Sequence, residues 1–265
     1  MITIVAGDWG HTEMSDLAPS GKLENGRVIR ETFAVLRRNL KTFALLAVIL
    51  VGAPALLLGV LQLAYLKPGV TLSWQTGLMT VVVGLSGLIL QGGIMYGTVC
   101  DLNGRPVRVA DGLSVGLRSF LPMLAIGLML YIAVVLGMML LVVPGVMIAL
   151  AWAVSIPAYV AERTSMTGSF GRSAELTRGN RWRILGLGLL YVVAVIIIEA
   201  LTGVIANIGQ VASGGGVSML TAVVVTPVVR VVNALFGATG GAVLYVELRR
   251  IKDGVGPEGL AAIFD

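Results

Sequence analysis

Residues 119–161 read SFLPMLAIGLMLYIAVVLGMMLLVVPGVMIALAWAVSIPAYVA, a stretch without one charged side chain. A helix needs about 20 mostly apolar residues to cross the hydrocarbon core of a bilayer. This run is long enough to cross twice. Pro144-Gly145, near its middle, supplies the expected hairpin break, because proline removes a helix donor and glycine permits a turn. Two spans are therefore expected, over about 120–143 and 145–161.

The same reading extends outward in both directions. Uncharged or nearly uncharged runs mark further spans at about 42–66, 78–100, 183–203 and 217–246. The last is longer than one span needs and holds Pro227 and Arg230, so a bend is expected at the proline. The fold class is thus all-α, a polytopic membrane helix bundle of six transmembrane helices. Composition agrees: 57% of residues are hydrophobic and 12% charged, against about 25% charged in ordinary soluble domains. Residues 27–252 form the membrane domain, residues 1–26 a flexible tail, and residues 253–265 a second tail. The first tail lacks the basic start, apolar stretch and cleavage site of a secretory signal. Met14 offers a second start, which makes residues 1–13 a candidate start-site artefact.

Lysine and arginine in short loops set orientation. Seventeen of the 19 basic residues fall before the first span, between the second and third, between the fourth and fifth, or after the sixth. Only Lys67 and Arg230 fall elsewhere. Both termini are therefore expected in the cytoplasm of a bacterial cell, with the chain in the inner membrane. The net charge of +5 is spread between apolar runs rather than gathered on one soluble module, so nucleic acid is not an expected partner.

A unit of amphipathic segment plus transmembrane hairpin recurs loosely three times. In the first copy Ile29, Phe33, Leu36 and Leu40 make an apolar helical stripe beside Arg30, Arg37, Arg38 and Lys41. Val109, Leu113 and Phe120 repeat the stripe 80 residues later, and Arg178 and Asn180 answer Arg37 and Asn39. Such segments either lie on the inner leaflet, arginines toward anionic headgroups, or simply cap and orient the hairpins.

Two ionisable residues, Glu199 and Arg230, lie inside spans at similar depth. An unpaired charge there is expensive, so an ion pair facing the bundle interior is expected, as a structural staple or as the lining of a polar pathway. Gly93-x-x-x-Gly97 and Gly237-x-x-x-Gly241 place small residues on one helix face, a pattern for close helix packing. Trp152, Trp182, Tyr65 and Tyr245 read as interfacial belt residues. Arg172, Ser173, Thr177, Asn180 and Arg181 form the densest polar cluster among the basic loops. They could bind a phosphate-bearing headgroup, or cap a short helix. One histidine (His11), one cysteine (Cys100) and scattered carboxylates leave no metal site, disulfide or catalytic constellation, and no cofactor is expected.

Residues 144–190 carry Pro144-Gly145, Trp152, Pro157, Glu162 and the run Arg172-Ser173, Leu176-Thr177, Gly179-Asn180 and Trp182; Tyr245-x-Glu247-Leu248-Arg249 follows near the end. In these features the chain resembles the bacterial glycerophosphoryl diester phosphodiesterase membrane-domain family and related uncharacterised multi-pass membrane proteins. The resemblance implies a membrane domain of the kind fused there to a soluble hydrolase. No segment here can hold a hydrolase barrel of about 250 residues, so phosphodiesterase activity is not carried over.

The expected function is that of a non-enzymatic integral membrane protein acting through membrane lipids, a membrane-protein partner or a second copy of itself, as scaffold or accessory subunit. A transporter or channel component for a small or amphiphilic substrate is the alternative.

Overall fold

The structure is a computed structural model that describes residues 22–65, 74–102, 104–212 and 219–254. Residues 1–13, His11 and the glycine run 214–216 lie outside the described residues. Every regular element among the described residues is helical. Six helical stretches are long and apolar enough to cross a membrane: Asn25–Leu61, Thr80–Leu102, Val109–Leu140, Val142–Glu162, Arg181–Gly209 and Thr221–Asp253. The chain is a multi-pass membrane protein.

The first span is a composite. Helix α1 (Asn25–Ala47) bends at Asn39, whose φ of −111° and ψ of 18° leave the helical region. It continues through a π turn, Val48–Gly52, into α2 (Ala53–Tyr65). A second π turn, Thr221–Val225, leads into α9 (Thr226–Asp253). Each π turn contains the residue four positions before a proline, Leu50 before Pro54 and Val223 before Pro227. A proline clashes with that carbonyl in a regular helix, and widening the turn relieves the clash. The bend expected at Pro227 thus takes the form of a π turn just before it. Here α1–α2 and α9 approach closely: a Cβ added at Gly52 would lie 3.1 Å from Val231 Cγ2, and one at Gly59 would run into the Ala222 carbonyl.

Two of the three amphipathic segments are not free-standing, while the third forms the separate helix α7 (Met166–Thr177). The first is continuous with its span as α1, and the second with its span as α4 (Val109–Leu140). The buried stripe of α1 is Val28, Thr32, Val35, Leu36 and Phe43, turned about one residue from the expected one. Phe33 and Leu40 point outward, although Phe33 still meets the ring of Phe236 edge-on at 5.3 Å. Along the first turns the core takes Val28, Thr32 and Val35 rather than Ile29 and Phe33, on the face where α3 (Trp74–Leu102) and α9 pack. The core begins ahead of α1, with Leu23 fully buried inside what the sequence assigns to the tail.

Gly93 and Gly97 do pack, against different helices. A Cβ at Gly93 would sit 2.9 Å from the Gly112 carbonyl of α4, and one at Gly97 would enter the ring of Phe43 in α1. The second glycine pair divides: Gly237 lies under the Tyr191 hydroxyl, while Gly241 faces open space.

The hairpin break falls earlier than the sequence suggests. Leu141, extended at φ −161° and ψ 146°, separates α4 from α5 (Val142–Ala151). Pro144 sits in the first turn of α5, where its missing N–H has no helical partner to lose. Gly145 packs against Gly137 and Met138 of α4. A second break, Trp152–Val154, divides the fourth span into α5 and α6 (Ser155–Glu162). Arg163, left-handed at φ 49°, ends α6. Helix α7 (Met166–Thr177) then starts at Ser165, whose hydroxyl accepts the Gly168 N–H at 3.0 Å. Helix α8 (Arg181–Ala212) supplies the fifth span.

Candidate functional site

The basic segments gather at one end of the bundle, where α6, α7 and the last turns of α9 meet. Arg172 of α7 is the hub. Its Nε donates to both oxygens of Glu162 at 3.0 Å, Nη1 to Glu175 at 3.2 Å, and Nη2 to Asp253. Tyr245 of α9 donates its hydroxyl to Glu162 at 2.7 Å. Arg249 stands 3.8 Å from Glu162 and 3.4 Å from Asp253. Burial disfavours the charged form of Arg172, but hydrogen bonds to Asp253 and Glu162 outweigh that and hold its pKa above the ordinary arginine value. Glu162, Arg172, Tyr245 and Arg249, scattered through the sequence as parts of a resemblance, are one ionic lock.

Two further clusters flank it. Arg27 of α1 meets Glu247 of α9 at 3.4 Å, and Arg250 meets the same carboxylate at 3.6 Å. At the kink of α1, Arg38 engages Asp101 of α3 through Nε at 3.0 Å and Nη2 at 2.7 Å, and Asn39 Nδ2 donates to Asp101 at 2.6 Å. A paired arginine fork and carboxylate is the strong form of such contacts.

The polar cluster 172–181 is brought together, but as a structural cap. Ser173 Oγ donates to the Ala151 carbonyl at 2.9 Å and accepts the Val154 N–H at 3.2 Å. Thr177 Oγ1 donates to the same carbonyl at 3.2 Å. Backbone opened by the break in the fourth span is thus satisfied from α7, as irregular backbone at membrane depth requires. Asn180 Oδ1 accepts the Leu23 N–H at 2.8 Å, and Arg183 donates to the Leu23 carbonyl. With Arg172 engaged by three carboxylates, four of the five expected headgroup ligands are already occupied. Of the five, Arg181 is left: its Nε is buried and has no hydrogen-bond partner among the described residues.

A cavity of about 390 Å³ opens beside Arg181. Its walls are Val142, Val143, Val146, Met147 and Leu150 of α5 and Gly179, Arg181, Trp182 and Leu185 at the start of α8. Trp182 is exposed at its rim, whereas Trp152 is drawn inward against Phe170 at 4.6 Å. Tyr245 is fully buried in the lock and is not a belt residue.

Glu199 and Arg230 do not form the expected pair. Glu199 accepts a hydrogen bond from Asn233 Nδ2 at 3.3 Å, and among the described residues no carboxylate lies within ion-pair distance of Arg230. Asn233 is one turn from Arg230 on α9, so an amide takes the place intended for the guanidinium. Tyr191 also bonds to this turn, donating to the Asn233 carbonyl at 3.1 Å.

Sequence reasoning assigned no ion pair to Asp101, Glu247 and Asp253, whose partners on other helices, Arg38, Arg27 and Arg172, lie tens of residues away in the chain. The one available signal was position: each acid ends a span among basic neighbours. No family model, no curated protein and no solved structure matches the chain.

Proposed function

We propose that the chain is a non-enzymatic protein of the bacterial inner membrane, with both termini cytoplasmic, that works as a scaffold or accessory subunit through membrane lipids or a membrane-protein partner. One observation carries this reading. At the basic end the carboxylates of the locks are turned to arginines within the bundle, while Arg30, Arg37, Lys41, Arg108, Arg118, Arg178, Arg181 and Lys252 have no carboxylate partner among the described residues. Cations left over beside outward Phe33 and Leu40 fit an anionic leaflet, where each is worth about 1 kcal/mol. The positive-inside distribution puts that leaflet on the cytoplasmic side. The three loosely repeated units then present their basic segments to one surface, and the resemblance to a phosphodiesterase membrane domain fits the same non-catalytic role.

A second reading, a transporter or channel component, draws on the divided fourth span, since discontinuous helices hold substrates in many transporters. Against it, Ser173 and Thr177 already take the groups freed at Ala151 and Val154.

Gentle solubilisation followed by mass spectrometry of everything that co-purifies tests the proposal. It expects enriched anionic phospholipid, or a defined membrane-protein partner. A protein free of both, with substrate flux in liposomes, would overturn it.

A further inference from the structure

We infer that the groove between α5 and α8 is a binding site for one anionic phospholipid, with an acyl chain along the groove and the phosphate on Arg181. The inference rests on the lipid-dependent reading above and names its ligand and place. The volume, about 390 Å³, falls in the range of small-molecule sites, about 300–1,000 Å³.

Chemistry divides sharply along the groove. Val142, Val143, Val146, Met147 and Leu150 are wholly apolar and belong to a membrane span, so hydrocarbon is the solvent at hand. Val142 and Val143 are two-thirds or more exposed, which opens the groove sideways to lipid. At its other end stands Arg181, the member of the 172–181 cluster whose guanidinium keeps an unmet buried donor. Arg181 also lines the groove and has no carboxylate partner among the described residues, so a phosphate diester would supply its counter-charge through the guanidinium. Asn180, which holds the cap position of α8 through its carbonyl, spends its side chain on Leu23, so it does not cap the amides that open the helix. The positive end of α8 therefore adds to the arginine. Exposed Trp182 suits the level between headgroup and acyl chain.

An acyl chain gains little by leaving bilayer for an apolar groove, because both are hydrocarbon. Selectivity must come from Arg181 and occupancy from the shape of the groove. The two can be broken separately. Native mass spectrometry of the whole protein in mild detergent, titrated with phosphatidylglycerol and with phosphatidylcholine of the same chains, reads both.

The wild type is expected to hold one phosphatidylglycerol in preference. Arg181→Gln should lower that preference about tenfold, the loss of one charge-assisted contact. Val146→Trp should abolish the single bound lipid of either kind. Because Val146→Trp could disturb folding, the wild type is also treated with a phosphatidylglycerol bearing a photoreactive group in its acyl chain. Crosslinks should fall on Met147 or Leu150. An unchanged preference in Arg181→Gln, displacement of the lipid by inorganic phosphate, or crosslinks confined to other helices would overturn the site. Enrichment of anionic lipid with labelling elsewhere would leave the broader reading standing. Absence of both anionic lipid and a protein partner would remove that reading too.

Discussion

The first span and the fifth are almost equally apolar, yet the bundle treats them oppositely. In α1–α2, 39% of the apolar window is buried; in α8, 6%. Hydropathy says only that a helix enters lipid. What decides whether it also packs is the presence of small residues where another backbone can approach, because lipid offers helices no hydrophobic reason to associate. Gly52 and Gly59 let α9 and its π turn close on the first span, and Gly93, Gly112 and Gly116 do the same between α3 and α4. Helix α8 turns Leu189, Ile196, Ile197, Val204 and Ile208 outward, and a Cβ added at its Gly188 or Gly203 would meet nothing within 4 Å among the described residues. It is held chiefly at its ends and by Tyr191 and Glu199, and the apolar groove beside α5 fits that loose docking.

The largest effects should therefore come from glycines in the packed half. Gly116→Val would drive a side chain into the Ile89 carbonyl, and Gly93→Val into that of Gly112. Overpacking of this kind costs about 1–3 kcal/mol or more, and here backbone would have to move. Thermal melting in detergent should show a collapse for both, and no change for Gly188→Ala or Gly203→Ala. A comparable loss at Gly203 would erase the contrast between the two spans.

Next comes the lock. Arg172→Gln leaves Glu162 and Asp253 without their main counter-charge; losing one partner of a buried pair costs about 3–5 kcal/mol, and the partial exposure here lowers that to roughly 2–3. Glu162→Gln should cost less, because a carboxamide still accepts from Tyr245. The double change should cost less than the sum of the singles, since both touch one network. Strict additivity would mean that the contacts in the lock are not coupled.

Intermediate in size, Ser173→Ala combined with Thr177→Val removes the donors to Ala151 and the acceptor for Val154. Unmet buried backbone groups cost about 1–3 kcal/mol. Faster hydrogen exchange confined to residues 150–156 is the expected signature. Unchanged exchange there would show that the break does not need α7.

The smallest effect is expected in the outer part of α8. Glu199→Gln keeps an acceptor for Asn233 and should shift stability by less than about 1 kcal/mol. Swapping the charges of Glu199 and Arg230 together should be no better tolerated than either single swap. Rescue by the double swap would restore the direct ion pair that the sequence leads one to expect.

The uneven legibility of the fold has a common physical cause. Six spans were readable because bilayer thickness is imposed on each segment separately. The break at Leu141 was not, since Pro144 fits the first turn of a helix as well as it breaks one. The stripe of α1 lies one residue from its expected place because Val28 and Ile29, like Val35 and Leu36, are adjacent apolar residues, and only the approach of α3 and α9 tells them apart. In the candidate site, residues 172–181 stood out as a cluster. Their uses depended on Ala151, Leu23, Glu162 and Asp253, which local periodicity cannot bring together. Glu199 and Arg230 were matched by depth, and a neighbouring amide one turn away took the contact.

The central claim is that the basic end, lock and leftover cations together, faces the cytoplasmic leaflet. Single cysteines at Arg178, Lys252 and Met219 test it directly, with the native Cys100 buried and so a quiet background. A membrane-impermeant maleimide applied to intact spheroplasts should label Met219→Cys and spare Arg178→Cys and Lys252→Cys; inside-out vesicles should give the reverse. Labelling of Arg178→Cys or Lys252→Cys from outside would contradict the account.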